Sequence, residues 1–203
     1  MRNNPIFCAI DTSDIDKAVA LVDQISPHIG GIKLGLEFFT SCGLLGLEKI
    51  KKLEIPIFID LKLYDIPNTT KQALSNILQF EPSYTTLHLS GGSEMLIECV
   101  NAKNELNSIT KLIGVTMLTS FNDTLISEIG IEKSVNENVK QLTQLAVNCG
   151  IDGIVCSPLE ISEVKNTHGS NLQIISPGIR NKENASNDQK RTLSAKEAIN
   201  AGA

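Results

Sequence analysis

Short apolar runs recur along the chain at positions 6–10, 31–35, 57–62, 85–89, 112–118, 153–156 and 172–176. Runs of this length, bounded by polar residues, glycine or proline, read as buried strands. The intervals between them carry a helical period. Ile15, Ala18, Val19, Val22 and Ile25 recur on one helix face. Ser13 is the expected N-cap of that helix, with Asp16 three residues on as its capping-box partner. Pro67 stands where its fixed φ suits the first turn of another helix, whose apolar face holds Ala73, Leu74, Ile77 and Leu78. Val135, Val139, Leu142 and Ala146 repeat the pattern, and Gly150 is the expected stop.

Strands that alternate with helices imply a parallel sheet. Most strand starts lie about 20 to 30 residues apart, and residues 120–133 form one longer connection. A barrel and an open doubly wound sheet both fit this rhythm. No G-x-G-x-x-G follows the first strand, which argues against the open sheet. Polar residues stand at the C-terminal end of nearly every run: Asp11, Lys33, Asp60 with Lys62, His88 with Ser90, Thr119, Ser157 and Arg180. Barrel active sites are built on that rim. The pattern therefore predicts an α/β fold, a TIM (β/α)8 barrel, in one domain over residues 1–203. Strand eight is missing from these 203 residues: the helix after strand seven runs to Gly202-Ala203, so the domain reads as C-terminally incomplete.

Composition narrows the function classes. The chain is 41% hydrophobic and 20% charged, with no long apolar run. Neither a signal peptide nor a membrane-spanning segment is evident, and the cytoplasm is the expected location. A net charge of −5 argues against a nucleic-acid partner, and any anionic ligand must be met by a few local cations. The five cysteines are far apart with no C-x-x-C, which favours small buried apolar residues over metal or disulfide roles.

The most informative segment is Asp60-Leu61-Lys62-Leu63-Tyr64-Asp65-Ile66-Pro67-Asn68-Thr69. Alternation along a strand puts Asp60 and Lys62 on one face, an acid beside a base where the chain leaves the core. Asp65 follows in the turn, where a capping role and a functional role fit equally well. His88, at a strand end, reads as a structural hydrogen-bonding residue rather than a base.

Taken in order, these motifs resemble the orotidine 5′-phosphate decarboxylase family in its bacterial form. The resemblance runs through Ala9-Ile10-Asp11, Ile32-Lys33-Leu34-Gly35, the 60–69 segment, His88-Leu89-Ser90-Gly91-Gly92 and Val115-Thr116-Met117-Leu118-Thr119-Ser120. It continues with Asp152-Gly153-Ile154-Val155-Cys156-Ser157, Pro177-Gly178-Ile179-Arg180 and Asp188-Gln189-Lys190-Arg191. It implies a carboxy-lyase that converts orotidine 5′-phosphate to UMP and CO2 in pyrimidine biosynthesis, with neither metal nor organic cofactor. Lys62 then resembles the proton donor to C6, and Asp60 the carboxylate beside the scissile group. Lys33 resembles the lysine that joins the charged network and contacts the ribose. Asp11 resembles the ribose-hydroxyl ligand, or else caps the helix that follows. Thr119 resembles the ligand of the pyrimidine edge, with Ser120 its competitor. Arg180 resembles a phosphate ligand beside Gly178, and Gln189 a bridge between phosphate and base on a lid over residues 181–190. Asp65 and Thr69 resemble residues that reach the partner's site, which implies a homodimer with shared active sites. A strand carrying a Gly-Arg pair is expected beyond Ala203.

Two other readings compete. A sugar-phosphate decarboxylase or synthase of the same superfamily would use a similar Asp-x-Lys-x-x-Asp core with Mg2+; Ile66-Pro67-Asn68-Thr69 and the long lid favour the nucleotide enzyme. For a non-catalytic phosphate-binding barrel remnant, the missing strand eight argues in favour and the intact Asp60, Lys62 and Asp65 argue against.

Overall fold

The apolar runs become seven parallel strands in sequential order: β1 (Phe7–Ala9), β2 (Gly31–Leu34), β3 (Ile57–Leu63), β4 (Tyr84–His88), β5 (Lys111–Val115), β6 (Gly153–Val155) and β7 (Gln173–Ile175). The computed structural model describes residues 4–169, 172–179 and 193–203. The helices are α1 (Ile15–Ile25), α2 (Leu36–Lys51), α3 (Pro67–Leu78), α4 (Gly92–Glu105), α5 (Asp123–Glu128), α6 (Val135–Asn148), α7 (Ile161–His168) and α8 (Ala195–Ala201). Parallel neighbours need a crossover, and in a closed or curled sheet that crossover is a helix on the outer face.

Contacts inside the sheet show that it curls into a barrel wall. In a flat sheet β1 and β4 would lie about 14 Å apart, at about 4.8 Å per strand. Instead the rings of Phe7 and Tyr84 meet edge to face at 5.3 Å, and Phe58 closes the triangle at 5.9 Å from Tyr84. Gln173 of β7 donates to the Tyr84 hydroxyl at 2.8 Å, three strands away on the other side. These side chains plug the N-terminal end of the interior. Among the described residues, β1 and β7 are the outer strands of the sheet.

Two apolar layers fill the space between sheet and helices. One joins β1–β3 to α1–α3 through Ile10, Val22, Ile32, Phe38, Leu47, Ile50, Ile59 and Ile77. The other joins β4–β7 to α3–α8 through Leu74, Leu87, Leu96, Leu112, Val139, Ile154, Ile161 and Ala198. Cys42, Cys99, Cys149 and Cys156 are buried, Cys8 is half-buried, and all five are free thiols. Burial pushes the thiols of Cys99 and Cys156 up to about 12, so they act as small apolar residues. Among the described residues, no helix is long and apolar enough to cross a membrane.

Some local expectations are corrected. The N-cap of α1 is Asp14, whose carboxylate accepts from the amides of Asp16 and Lys17; Ser13 lies one residue too early. Those amides, Lys17's foremost, hold the Asp14 carboxyl below its ordinary range. The 120–133 connection contains a helix of its own, α5, capped by Asn122. Six residues give too short an apolar repeat to announce a helix by period. The run at 112–118 stops being strand after Val115, although Met117 stays buried.

Candidate active site

The site grows from an irregularity in β3. Between Ile59 and Leu63 the chain advances four residues while β4 advances two, from Thr85 to Leu87. Extra residues in one strand make a bulge, which re-aims side chains. Lys62 takes φ +52°, the left-handed region, at a cost of about 1 kcal/mol or more for a residue with a side chain. Strand alternation is therefore not what brings Asp60 and Lys62 together. The bulge folds the lysine back, so that Nζ donates to both carboxylate oxygens of Asp60 at 3.0 Å.

Asp60 is 8% exposed and has further partners. Lys33 of β2 brings its Nζ to 3.6 Å from Oδ2. Thr86 of β4 donates its hydroxyl to Oδ1 at 3.0 Å and accepts from the backbone N–H of Lys62 at 2.8 Å. One carboxylate between two ammonium groups leaves a net local charge of +1 in a chain of net −5. Desolvation offsets most of the Coulomb gain of such a cluster, so it is a poor stabiliser and a ready anion site.

Gly35 keeps the neighbouring space open. A Cβ there would lie 3.1 Å from Lys33 Nζ and 4.0 Å from Asp11 Oδ1. Asp11 is exposed at the end of β1 and, with Asp14 doing the capping, is free for another role. His88 ends β4 with its ring 5.6 Å from that of Tyr64. Its Nδ1 is buried without a partner, so the structural hydrogen bond expected of it is not made through that atom. Burial pushes the imidazole pKa down, and the positive charge of Lys62 adds to this, which keeps the ring neutral at pH 7.

The remaining candidates are placed differently. Asp65 and Thr69 are exposed, the first in the turn after β3 and the second in the first turn of α3. Asp65 accepts from the amide of Ile66 at 2.7 Å, a local turn bond, and the structure does not join it to the Asp60 cluster. Thr119 is half-buried on the loop after β5, and Ser120 beside it is exposed. Gly178 adopts φ +76°, a conformation that suits glycine. Arg180 and Gln189 lie outside the described residues. Thr86 was not signalled by the sequence, because a threonine within a strand is ordinary; only its spacing of two from His88 hinted that it shares the interior face.

A buried carboxylate gripped by two lysines, at the C-terminal rim of a parallel barrel wall, defines an enzyme of the (β/α)-barrel class with acid–base equipment. Comparison with known proteins is more specific. The sequence model described as "Orotidine 5'-phosphate decarboxylase / HUMPS family" matches residues 4–203, so the chain belongs to that family. Orotidine 5'-phosphate decarboxylase of Ehrlichia chaffeensis is 46% identical over 204 residues, covering 100% of this chain and 87% of its own length. The protein of the same name from a Wolbachia of Culex pipiens is 44% identical over 200 residues, covering 98% and 87%. Among solved structures, orotidine 5'-phosphate decarboxylase from Lactobacillus acidophilus superposes with a TM-score of 0.86 at 28% identity, covering 99% of this chain and 88% of that one.

Proposed function

We infer that this protein decarboxylates orotidine 5′-phosphate to UMP and CO2, in the synthesis of pyrimidine nucleotides, with Lys62 delivering the proton to C6. The observation that carries this reading is the Asp60–Lys62 pair, with Nζ 3.0 Å from both carboxylate oxygens. Loss of CO2 from C6 leaves a carbanion with no adjacent electron sink. A fixed cation beside that carbon stabilises the developing charge and can then protonate it. A substrate carboxylate placed near Asp60 is repelled. Two charges 4 Å apart at an effective dielectric near 20 repel by about 4 kcal/mol. Enzymes lower barriers by roughly 8 to 23 kcal/mol, so repulsion is one contribution and the lysine and the remote phosphate supply the rest. Lys33 and Asp11, which both border the open space at Gly35, suit a ribose. Half-buried Thr119 suits the pyrimidine edge better than exposed Ser120. Arg180 and Gln189 are assigned to the phosphate from the sequence alone.

The expected location is the cytoplasm. Asp65 and Thr69 are assigned to the site of a second copy, in a homodimer with shared active sites. Their exposure beside the exposed side chains of Tyr64, Ile66 and Ile97 supports this. The alternative is an Mg2+-dependent sugar-phosphate enzyme, since the family description spans both branches. Eight curated relatives at 39–46% identity carry the decarboxylase name, which favours the nucleotide enzyme.

The test is the fall in orotate-band absorbance when purified protein meets orotidine 5′-phosphate. Turnover is expected in the presence of EDTA. Activity that vanishes with the chelator and returns with Mg2+ would transfer the protein to the other branch.

A further inference from the structure

We propose that Thr86 is a positioning residue of this site, whose single hydroxyl orients the Asp60 carboxylate and locks the left-handed backbone of Lys62 together. The inference rests on the decarboxylation reading for its kinetic part and on geometry for the remainder. The bulge in β3 breaks the regular ladder with β4 between Ile59 and Leu63. A part-buried amide left without an acceptor there is costly. Thr86 Oγ1 supplies that acceptor to Lys62 N at 2.8 Å. The same oxygen carries one proton and gives it to Asp60 Oδ1 at 3.0 Å.

The polarity of both bonds is forced. An ionised carboxylate only accepts and an amide only donates, so the group between them must do both. A hydroxyl meets that need and an isosteric methyl does not. Thr86 is fully buried, so water does not replace it. The consequence lies in the direction of the acid–base pair. With Oδ1 held by Thr86 and the Lys62 backbone held by the same atom, both ends of the Asp60–Lys62 contact are fixed to β4. The ammonium is thereby aimed before substrate arrives, which is the geometry that preorganised catalysis requires.

The experiment compares Thr86→Val, Thr86→Ala and Thr86→Ser in the full chain. The kcat of the Val and Ala variants is expected to fall about 10- to 100-fold, the scale of a lost hydrogen bond to a charged group, while KM moves less than about threefold. Ser, which keeps the hydroxyl, should recover kcat to within about threefold. Hydrogen exchange at the Lys62 amide should accelerate in Val and Ala and stay at the wild-type rate in Ser. If Val does not fold, the Ser and Ala pair carries the same comparison, because both lack the methyl and differ only in the hydroxyl. The proposal is overturned if Ala and Val keep kcat within twofold of wild type, or if Ser falls as far as Ala. Wild-type protein that fails to turn over orotidine 5′-phosphate would sink the decarboxylation reading instead; the exchange rates would then still decide whether the hydroxyl locks Lys62.

Discussion

Among the described residues, two aspartates each sit between two lysines, and they are built to opposite ends. Asp60 lies between Lys33 and Lys62 inside the barrel wall, near the C-terminal ends of the strands. Asp152 lies between Lys103 and Lys111 on the helix side, where β5 and β6 begin. Around Asp152 the contacts are tight: 2.6 Å from Lys103, 3.2 Å from Lys111 and 2.8 Å from the amide of Leu112. Both its oxygens are thus claimed by groups that pin α4 and β5 to the start of β6. Around Asp60 one lysine stands off at 3.6 Å, and the other depends on a left-handed backbone. Identical residue types therefore make a clamp in one place and a poised site in the other. The difference lies in backbone regularity and in whether the charges are used up by protein partners.

The comparison can be broken at four points. The largest effect is expected at Lys62→Ala, which should lower turnover of orotidine 5′-phosphate by at least about 10³-fold while circular dichroism stays native. Turnover like that of wild type would remove Lys62 from the proton-donor role. The matching change in the other cluster, Lys103→Ala, should leave kcat per folded molecule unaltered.

Next comes sharing of the site. Neither Lys62→Ala nor Asp65→Ala alone should be active, yet co-refolded mixtures should regain about one quarter of wild-type activity. In each mixed dimer one site would receive both intact residues. Mixtures as inactive as their components would place Asp65 outside the partner's site.

Stability follows. Asp152→Ala leaves two lysines and an amide facing each other and should cost about 2 kcal/mol, or about 4–8 °C in Tm. Asp152 also gives an acid-side signature. Burial alone would raise its carboxyl, but hydrogen bonds from Lys103 and the Leu112 amide outweigh that and hold it below 3.8. Its stabilisation is therefore complete above pH 3.8 and lost as pH falls through the lower folded value. The Asp152→Ala difference in Tm should shrink over that acid range.

The smallest effect belongs to His88. Its folded pKa lies below 6.5, so the unfolded chain takes up the proton first as pH falls. Stability should decline from pH 6.5 downward, and His88→Gln should flatten that slope in thermal melts. An unchanged slope would mean that the ring is not held neutral by its site.

Much of this architecture is legible in the linear sequence. The order and parallel sense of seven strands follow from apolar runs spaced by helical periods, because burial dictates both. The rim position of Asp60 and Lys62 follows from where those runs meet charge. Three things could not be read. The cap at Asp14 depended on a one-residue choice between neighbouring polar side chains, which local pattern does not resolve. The short helix α5 is too brief to show a period. The bulge in β3 and its Thr86 partner belong to pairing between strands about 25 residues apart, and alternation within one strand is blind to that.

The sequence by itself determined the element order, the family and the identity of the charged residues, because local periodicity and motif spacing are linear properties. Only the tertiary structure decided how Asp60 and Lys62 meet, through a left-handed lysine held by a hydroxyl from the next strand. It also decided that Asp152 is a clamp and that Asp65 and Thr69 face outward. Those outcomes depend on register, curl and burial, which arise when distant segments pack and compete for the same hydrogen bonds.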